Sequence, residues 1–332
     1  MSDLATLLAQ SPDLLPMGYD PVRDAMLFVD FDRAAYAAAS FLDERILGSD
    51  VRARWVPAAA VVDAASGLPA SDCRFIFHIG HVGSTLLARL VGEAGALSLR
   101  EPAALRAFSV EGGLNGASQS RLDALLRLWS RTYAPEQRPV VKATSFVSEI
   151  AGELLARTRQ PAVAMTVSAE TYLAGILGGE NSRREIAAAA PAKARRLALR
   201  RGTDLPATSE GEVIAQSWLC EVTALLAAEP ADALLWLDFE TFLADPAAGL
   251  AASLAHLGVA ASSGQIAAIA TGPLMTRYSK APEHGYTPAL RRAVLEGARA
   301  DFGKEIAAGL RWLDTAARGW PPAAQALAKA GR

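Results

Sequence analysis

The chain has 332 residues, of which 51% are hydrophobic and 20% are charged, and its formal net charge is −2. This length allows one large domain with an appendage, and the near-neutral charge excludes a general attraction to nucleic acid or to an anionic membrane. Any anion-binding site must therefore be local. Cys73 and Cys220 lie far apart in apolar surroundings, which predicts free, buried thiols and no disulfide or metal site.

The sequence shows no targeting or membrane segment. Its first residues lack the basic start and apolar run of a signal peptide, and no stretch reaches about 20 uninterrupted apolar residues. We therefore expect a cytoplasmic protein without a membrane or nucleic-acid partner. The oligomeric state stays open.

Residues 1–72 are predicted to form a small N-terminal extension. Prolines and glycine in the first 20 residues indicate an irregular start. The pattern that follows predicts a strand, an alanine-rich helix and a short strand, at 25–31, 34–47 and 55–62. Nothing in this extension names a chemistry.

From residue 74 the pattern changes to strands that alternate with helices. Short apolar runs predict strands that begin at 75 and then lie at 96–99, 139–143, 161–167 and 233–238. Such alternation predicts an α/β fold with a central, mostly parallel sheet flanked by helices. In such sheets ligands lie at the C-terminal ends of the strands. A helical insertion covers 180–230, and we interpret its basic cluster as a solvated face, comprising Arg195, Arg196, Arg200 and Arg201.

The stretch from 75 to 90 is typical of an anion-binding turn. After an apolar strand, Gly80 and Gly83 bracket a tight turn, and Ser84 and Thr85 open a helix with apolar residues on one face. The N-terminus of a helix presents unpaired N–H groups and the positive end of the dipole, which favours phosphate. The alternative is a common glycine turn whose hydroxyls only cap the helix.

These residues resemble a family. The segment 80–87 resembles the phosphosulfate-binding loop of sulfotransferases, 140–144 is similar to the lysine-bearing strand end of that family, and 237–246 looks like the junction after its last core strand. The resemblance covers about residues 74 to 315 and implies a P-loop nucleotide-binding type of fold. We accordingly divide the chain into the extension at 1–72, a sulfotransferase-like domain at 73–315 and a tail at 316–332.

The resemblance implies a donor substrate, 3′-phosphoadenosine 5′-phosphosulfate, and transfer of its sulfuryl group to a hydroxyl or amine of a small molecule or peptide, without a metal. The 5′-phosphate would lie on the loop, formed by Gly80, His81, Val82, Gly83, Ser84 and Thr85. His81 departs from the family, which usually has lysine or arginine there. As imidazolium it would supply positive charge, or it is only a turn residue.

Lys142 and Glu101 are the remaining catalytic candidates. Lys142 would neutralise charge at the reacting sulfuryl group, unless it is an ordinary surface lysine. Glu101 would be the general base, unless it pairs structurally with Arg100 or Arg106. His78, within the apolar strand, is interpreted as a hydrogen-bonded core histidine.

The 3′-phosphate site is the least defined part of this hypothesis. Ser168 stands at a strand end as the resemblance requires, but no arginine accompanies it and Gly175 stands where serine is expected. Arg183 is our candidate for the missing charge. The sequence offers further candidates, which are Asn181, Arg184, Arg277 and Lys280.

Two other functions fit the same loop. One is a P-loop kinase for a small molecule, which is disfavoured because no lysine separates Gly83 from Ser84 and because Asp238 is the sole strand-end acid for Mg²⁺. The other is a non-catalytic nucleotide-binding or partner-binding module, which the departures at His81 and at the 3′-phosphate site favour.

Overall fold

The structure, a computed structural model, describes residues 2–48, 51–109, 116–228, 231–276 and 288–331. Its first part contains a three-stranded antiparallel sheet in the order β1-β2-β3. The elements of this part are α1 (Ser2–Gln10), β1 (Leu14–Asp20), β2 (Ala25–Asp30), α2 (Arg33–Ala38), β3 (Ala53–Pro57) and α3 (Ala58–Ala65), with a 3-10 helix at Glu44–Ile46.

Three predictions for this part are wrong. Residues 1–20 are not irregular, because they form α1 and β1. Pro16 and Gly18 flank a register shift in β1, and such a shift in an edge strand accommodates a residue without an N–H. The helix predicted at 34–47 ends at Ala38, and the strand predicted at 55–62 ends at Pro57, where α3 follows.

The second part is built on a five-stranded sheet. Its strands are β4 (Arg74–His78), β5 (Leu97–Arg100), β6 (Pro139–Lys142), β7 (Ala162–Thr166) and β8 (Leu234–Asp238). The helices among and after them are α4 (Ser84–Glu93), α5 (Gly116–Trp129), α6 (Ala151–Thr158), α7 (Ala169–Leu177), α8 (Glu180–Arg201), α9 (Glu210–Leu226), α10 (Phe239–Ala244), α11 (Pro246–His256), α12 (Ser263–Ala270), α13 (Pro288–Gly319) and α14 (Pro321–Ala330). Short 3-10 helices lie at Ala103–Phe108, Ser145–Ile150, Ala231–Ala233 and Pro273–Thr276.

The five strands are all parallel, in the order β5-β6-β4-β7-β8. Strands β4 to β7 are buried along their whole length, as expected where helices cover both faces of a parallel sheet. The predicted α/β fold with a central parallel sheet is therefore confirmed. After β6, the 3-10 helix at Ser145–Ile150 leads directly into α6.

The connections identify where the sheet opens. From β4 the chain runs to the edge strand β5, returns to β6 beside β4, and then crosses to β7 on the other side of β4. The C-terminal end of β4 thus lies between strands reached in opposite directions. A crevice forms at such a switch point, and ligands of open α/β sheets bind there.

Two basic side chains of the helical insertion bond to segments outside it, namely the 3-10 helix at Ser145–Ile150 and the main chain of Ser109. Arg196 is buried and donates to the main-chain oxygens of Phe146 and Ser109 at 2.9 and 2.7 Å. Arg200 donates to both carboxylate oxygens of Glu149, at 2.7 and 2.6 Å. The predicted solvated face is therefore wrong for these two arginines, although Arg195 is exposed.

The last two helices pack against the insertion. Helix α13, which is kinked at Phe302, crosses α9 so closely that a Cβ atom at Gly211 would lie 1.9 Å from the main-chain oxygen of Glu305. Helix α14 lies on α9 and α13, and the N–H of Ala169 donates to the carbonyl of Gly331 at 3.1 Å. Residues of the predicted tail thus contact the start of α7. The division at 72 and 315 stays a prediction.

Cys73 and Cys220 are buried free thiols, as predicted, and burial raises their pKa to about 11 and about 12. In the part of the chain that the structure describes, no helix combines the length and apolar character that crossing a membrane requires.

Candidate functional site

The loop after β4 has the backbone of an anion-binding turn. Gly80, His81 and Gly83 have φ angles of +85°, +56° and +68°. Gly83 is the N-cap of α4, and no side chain caps this helix among the described residues. A Cβ atom at Gly83 would lie 2.0 Å from the Phe239 ring, so only glycine fits. The first N–H groups of α4 therefore remain available at the end of the sheet.

Thr85 adds a polar group that the protein itself does not satisfy. The residue is 2% exposed, and its Oγ1 makes no hydrogen bond to any residue that the structure describes. Buried hydroxyls nearly always have a partner, and one without a partner calls for an explanation. A bound anion at the start of α4 would supply it.

Lys142 and Glu101 meet at the ends of neighbouring strands. The register of the sheet pairs Lys142 with Arg100 of β5, and the Lys142 Nζ contacts Glu101 Oε1. The lysine side chain is 0% exposed and that of the glutamate 11%. The alternative of an ordinary surface lysine is therefore wrong, and the two residues meet at one edge of the sheet.

The arginines proposed as structural partners of Glu101 bond elsewhere. Arg100 donates through Nε to the Ala39 carbonyl at 2.6 Å and also reaches the Tyr36 carbonyl. Arg106 donates to Asp43 at 3.3 Å. Burial lowers the pKa of Arg100 to about 10, which still leaves it charged at neutral pH. Arg100 thus binds the end of α2 and leaves Glu101 to Lys142.

Glu101 itself has an unusual backbone. Its φ is +54°, in the left-handed region that non-glycine residues occupy rarely. Such a conformation costs on the order of 1–3 kcal/mol and is found most often at functional sites. Its N–H donates to the Lys142 carbonyl at 2.7 Å, so main chain and side chain both fix Glu101 against β6.

His78 lies between Glu101 and the loop. Its Nδ1 accepts a hydrogen bond from the Gly80 N–H at 3.0 Å, and its Nε2 is 3.8 Å from Glu101 Oε1. The prediction of a buried, hydrogen-bonded histidine is confirmed. The sequence did not reveal that this ring stands next to the candidate base.

The N-terminal extension contributes an aromatic cover. The centroid of the Phe41 ring lies 5.7 Å from Lys142 Nζ. The Arg45 guanidinium stacks on the same ring, with its central carbon 3.6 Å from the centroid. Asp43 pairs with Arg45 and with Arg106. Phe41, Asp43 and Arg45 are missing from the sequence prediction because they lie in the extension, well before β4, and form no motif.

His81 points towards the helical insertion. Its Nε2 lies 3.4 Å from Glu185 Oε2, and its Nδ1 lies 3.4 Å from Ser182 Oγ. The imidazole thus faces α8, while the main chain of His81 shapes the turn. Val82 is fully buried, so its main-chain atoms are what it can offer to a ligand. The catalytic and binding roles of His81 stay predictions.

The two residues predicted for the 3′-phosphate already have protein partners. Ser168 caps α7 by accepting from the Thr171 N–H at 3.2 Å. Arg183 donates to both carboxylate oxygens of Glu210, at 2.6 and 2.8 Å. Arg277 and Lys280 lie outside the described residues. The Ser168 and Arg183 side chains are thus both engaged within the protein, and their binding role stays a prediction.

A buried polar network contacts the main chain just before the loop. The Tyr172 hydroxyl donates to the Ile79 carbonyl at 3.3 Å. Nearby, Lys193 donates to Ser217 at 2.8 Å and pairs with Glu221 at 2.9 Å. Burial alone would lower the pKa of Lys193, but Glu221 and Tyr172 outweigh it and raise that pKa. Sequence reasoning missed this pair because Lys193 stands within a basic, alanine-rich run.

Asp238, the candidate magnesium ligand of the kinase alternative, caps α10. Its Oδ1 accepts from the Thr241 N–H at 2.8 Å and from the Thr241 hydroxyl at 3.0 Å. Within the described ranges, no group of three or more acidic, histidine or cysteine side chains is arranged to hold a metal ion.

Comparison with known proteins gives little further information. No protein-family model matches the sequence, and no curated protein matches it. Among solved structures the chain is similar to a "Sulfotransferase Domain from the Curacin Biosynthetic Pathway", with 14% sequence identity and a TM-score of 0.37 over 71% of this chain and 98% of that chain. The functional conclusion therefore rests on the residues of the site.

Proposed function

We propose that this protein is a sulfotransferase that moves a sulfuryl group from 3′-phosphoadenosine 5′-phosphosulfate to a hydroxyl or amine of a small molecule or peptide. The observation that carries the proposal is the uncapped start of α4, with the buried Thr85 hydroxyl, beside the Lys142–Glu101 pair. The resemblance of the loop and of the lysine-bearing strand end to sulfotransferases supports the choice of donor.

Each part of this site has a defined task in sulfuryl transfer. The loop N–H groups and Thr85 bind the 5′-phosphate, as a helix N-terminus favours anions. The acceptor oxygen or nitrogen forms a bond to sulfur while the bond from sulfur to the 5′-phosphate oxygen breaks. Glu101 takes the proton of the acceptor, and adenosine 3′,5′-bisphosphate leaves. Lys142 stabilises the negative charge on the transferring and leaving oxygens.

The exposure of the Lys142 and Glu101 side chains supports this division of tasks. Lys142 is wholly enclosed, whereas Glu101 retains an exposed fraction of 11%. The carboxylate is therefore the member that an acceptor can reach, and a base must lie within hydrogen-bond distance of the proton it removes.

A non-catalytic nucleotide-binding module is the second candidate. It is favoured by the enclosure of Lys142, whose charge Glu101 neutralises, and by the orientation of His81 towards Glu185. The kinase alternative gains no such support, because the Asp238 carboxylate caps α10.

A binding and a transfer measurement distinguish these functions. Adenosine 3′,5′-bisphosphate should raise the melting temperature in proportion to the logarithm of its concentration, and ATP with Mg²⁺ should raise it less. With ³⁵S-labelled donor and a panel of phenols, alcohols and amines, labelled ester or amide should form together with the bisphosphate. Stabilisation by ATP–Mg²⁺ alone would contradict the proposal. Bisphosphate binding without labelled product on any acceptor would favour the non-catalytic module.

A further inference from the structure

His78 touches the donor loop with one ring nitrogen and faces the candidate base with the other. Nδ1 accepts from the Gly80 N–H at 3.0 Å, and Nε2 stands 3.8 Å from Glu101 Oε1. The side chain is 7% exposed. A single rigid ring therefore spans the two halves of the site, from the end of β4 to the end of β5.

The hydrogen bond to Gly80 fixes the protonation of this ring. A main-chain N–H can only donate, so Nδ1 must be the unprotonated nitrogen. The proton of the neutral imidazole is then on Nε2, on the side of the Glu101 carboxylate. A proton on Nδ1 would break the bond to Gly80, so the tautomer and the shape of the loop depend on each other.

The charged groups around the ring agree with this arrangement. Glu101 approaches from the end of β5, and the Lys142 ammonium, from the end of β6, contacts the same Oε1. From α7 the Tyr172 hydroxyl donates to the Ile79 carbonyl, between His78 and Gly80. The His78 Nε2 and the Lys142 ammonium thus both face the carboxylate of Glu101. The backbone of Glu101 is in the left-handed region.

The geometry points to His78 as a positioning residue that couples the donor loop to the general base. Its Nδ1 holds the Gly80 N–H in the turn that receives the 5′-phosphate. Its Nε2–H faces Glu101 Oε1 at 3.8 Å, beyond hydrogen-bond distance, and orients the carboxylate towards the acceptor by electrostatic attraction. This inference rests on the proposed function. The proton of the acceptor ends on Glu101, and His78 transfers none, because its Nδ1 is occupied by the Gly80 N–H.

Two substitutions separate the halves of this role. In His78→Asn the amide oxygen takes the place of Nδ1, so the bond to Gly80 is kept and the contact with Glu101 is lost. In His78→Gln the amide nitrogen reaches the place of Nε2, so the contact with Glu101 is kept and the bond to Gly80 is lost. His256→Asn is the matched control, because this ring contacts the Ala233 carbonyl at 3.0 Å, near the opposite end of the sheet.

We expect opposite effects in binding and in turnover. His78→Asn should bind adenosine 3′,5′-bisphosphate within about threefold of wild type and lower kcat about tenfold. His78→Gln should weaken bisphosphate binding about tenfold, the value of one hydrogen bond, and raise the donor KM more than it lowers kcat. In a Glu101→Gln background, His78→Asn should cause no further loss of kcat, because both act through the same carboxylate. Calorimetry and transfer from labelled donor measure these quantities.

Three outcomes would overturn the inference. If both variants change binding and kcat in the same proportion while wild type binds and turns over, His78 has no split role and the proposed function stands. If His78→Asn lowers kcat further in the Glu101→Gln background, His78 does not act through Glu101. If wild type neither binds the bisphosphate nor transfers sulfur, the proposed function fails and this inference fails with it.

Discussion

Glu101 combines a strained backbone with a buried ionic contact, and its carboxylate is the group on which the proposed chemistry depends. We predict that Glu101→Gln lowers sulfuryl transfer by about 10²-fold or more, the scale of general-base catalysis. Binding of adenosine 3′,5′-bisphosphate should stay near that of wild type, because the loop is unchanged. Transfer assays and calorimetry on the same preparation measure both. Glu153→Gln, in a surface pair with Arg157, is the control, and an active Glu101→Gln variant would exclude Glu101 as the base.

Gly83 is predicted to be the least replaceable glycine of the loop. In Gly83→Ala the new Cβ would lie 2.0 Å from the Phe239 ring, whereas in Gly258→Ala it would meet Arg74 at 3.8 Å, at a similar φ of +64°. Both variants carry the cost of a left-handed alanine, about 1 kcal/mol. Gly83→Ala should in addition lose bisphosphate binding and several degrees of melting temperature. Equal melting temperatures for the two variants would show that Phe239 moves aside without cost.

The limits of sequence reasoning are clearest at single residues. Glu101 and Lys142 were predictable as neighbours because parallel strands end at the same edge of a sheet. That Lys142 is enclosed was not predictable, since Phe41 and Arg45 come from a segment with no motif. The role of His78 also depends on a contact across strands. Periodicity indicates which face a residue occupies but not which remote side chain meets it.

At the scale of elements, the buried Lys193–Glu221 ion pair joins α8 to α9. Lys193→Met should destabilise the protein by about 3–5 kcal/mol, because it leaves the Glu221 carboxylate buried without its cation. The double variant Lys193→Met, Glu221→Leu should recover most of this loss, as paired apolar replacements of buried ion pairs often do. Urea unfolding of the single and double variants measures the difference. A double variant as unstable as the single one would show that other polar groups around the pair dominate.

The strands and helices of this protein differ in how well its sequence predicts them. The central strands were predictable because fully buried parallel strands are continuous apolar runs bounded by turn residues. Strand β1 was missed because Pro16 and Gly18 usually interrupt strands, yet a bulge at a sheet edge tolerates them. The buried faces of α8 were missed because Arg196 and Arg200 find their partners in Phe146 and Glu149, far away along the chain.

For the whole molecule, ion pairs between distant elements predict a loss of stability in acid. Hydrogen bonds from Arg121 lower the pKa of Asp24, and those from Arg299 lower the pKa of Glu170. A carboxylate with a lower pKa in the folded than in the unfolded state stabilises the fold above its unfolded value, near 4, and this stability is lost as the pH falls through the folded value. The urea midpoint should therefore fall between about pH 5 and pH 3. Asp24→Asn with Glu170→Gln should flatten this decline, and an unchanged slope would contradict the assignment.

Hydrogen bonds from Trp129 and Arg131 connect the N-terminal extension to the rest of the molecule. Arg131 donates to the carbonyls of Leu8, Ser11 and Leu14 at 2.7 to 2.8 Å, and Trp129 donates to the Pro16 carbonyl at 3.0 Å. Removal of residues 1–72 would remove these acceptors and expose to water the apolar side chains that the extension covers, such as Phe108, which stacks on Tyr19. We predict that residues 73–332 alone unfold at a lower urea concentration or accumulate as aggregates. A truncated protein with the wild-type midpoint would establish the extension as an independent unit.

The hydrogen bonds between Arg131 and the N-terminal extension also bear on how the protein folds during its synthesis. Residues 1–72 leave the ribosome before residue 131 does, and all three strands of their antiparallel sheet lie within this stretch. One face of this sheet is buried in the complete protein. It stays uncovered until Phe108, which stacks on Tyr19, and then Trp129 and Arg131 have been synthesised. At about 5–20 residues per second, this interval is several seconds. During synthesis the nascent sheet is therefore an exposed apolar surface, and slower translation between 72 and 131 would lengthen the period in which chaperones or other nascent chains can bind it.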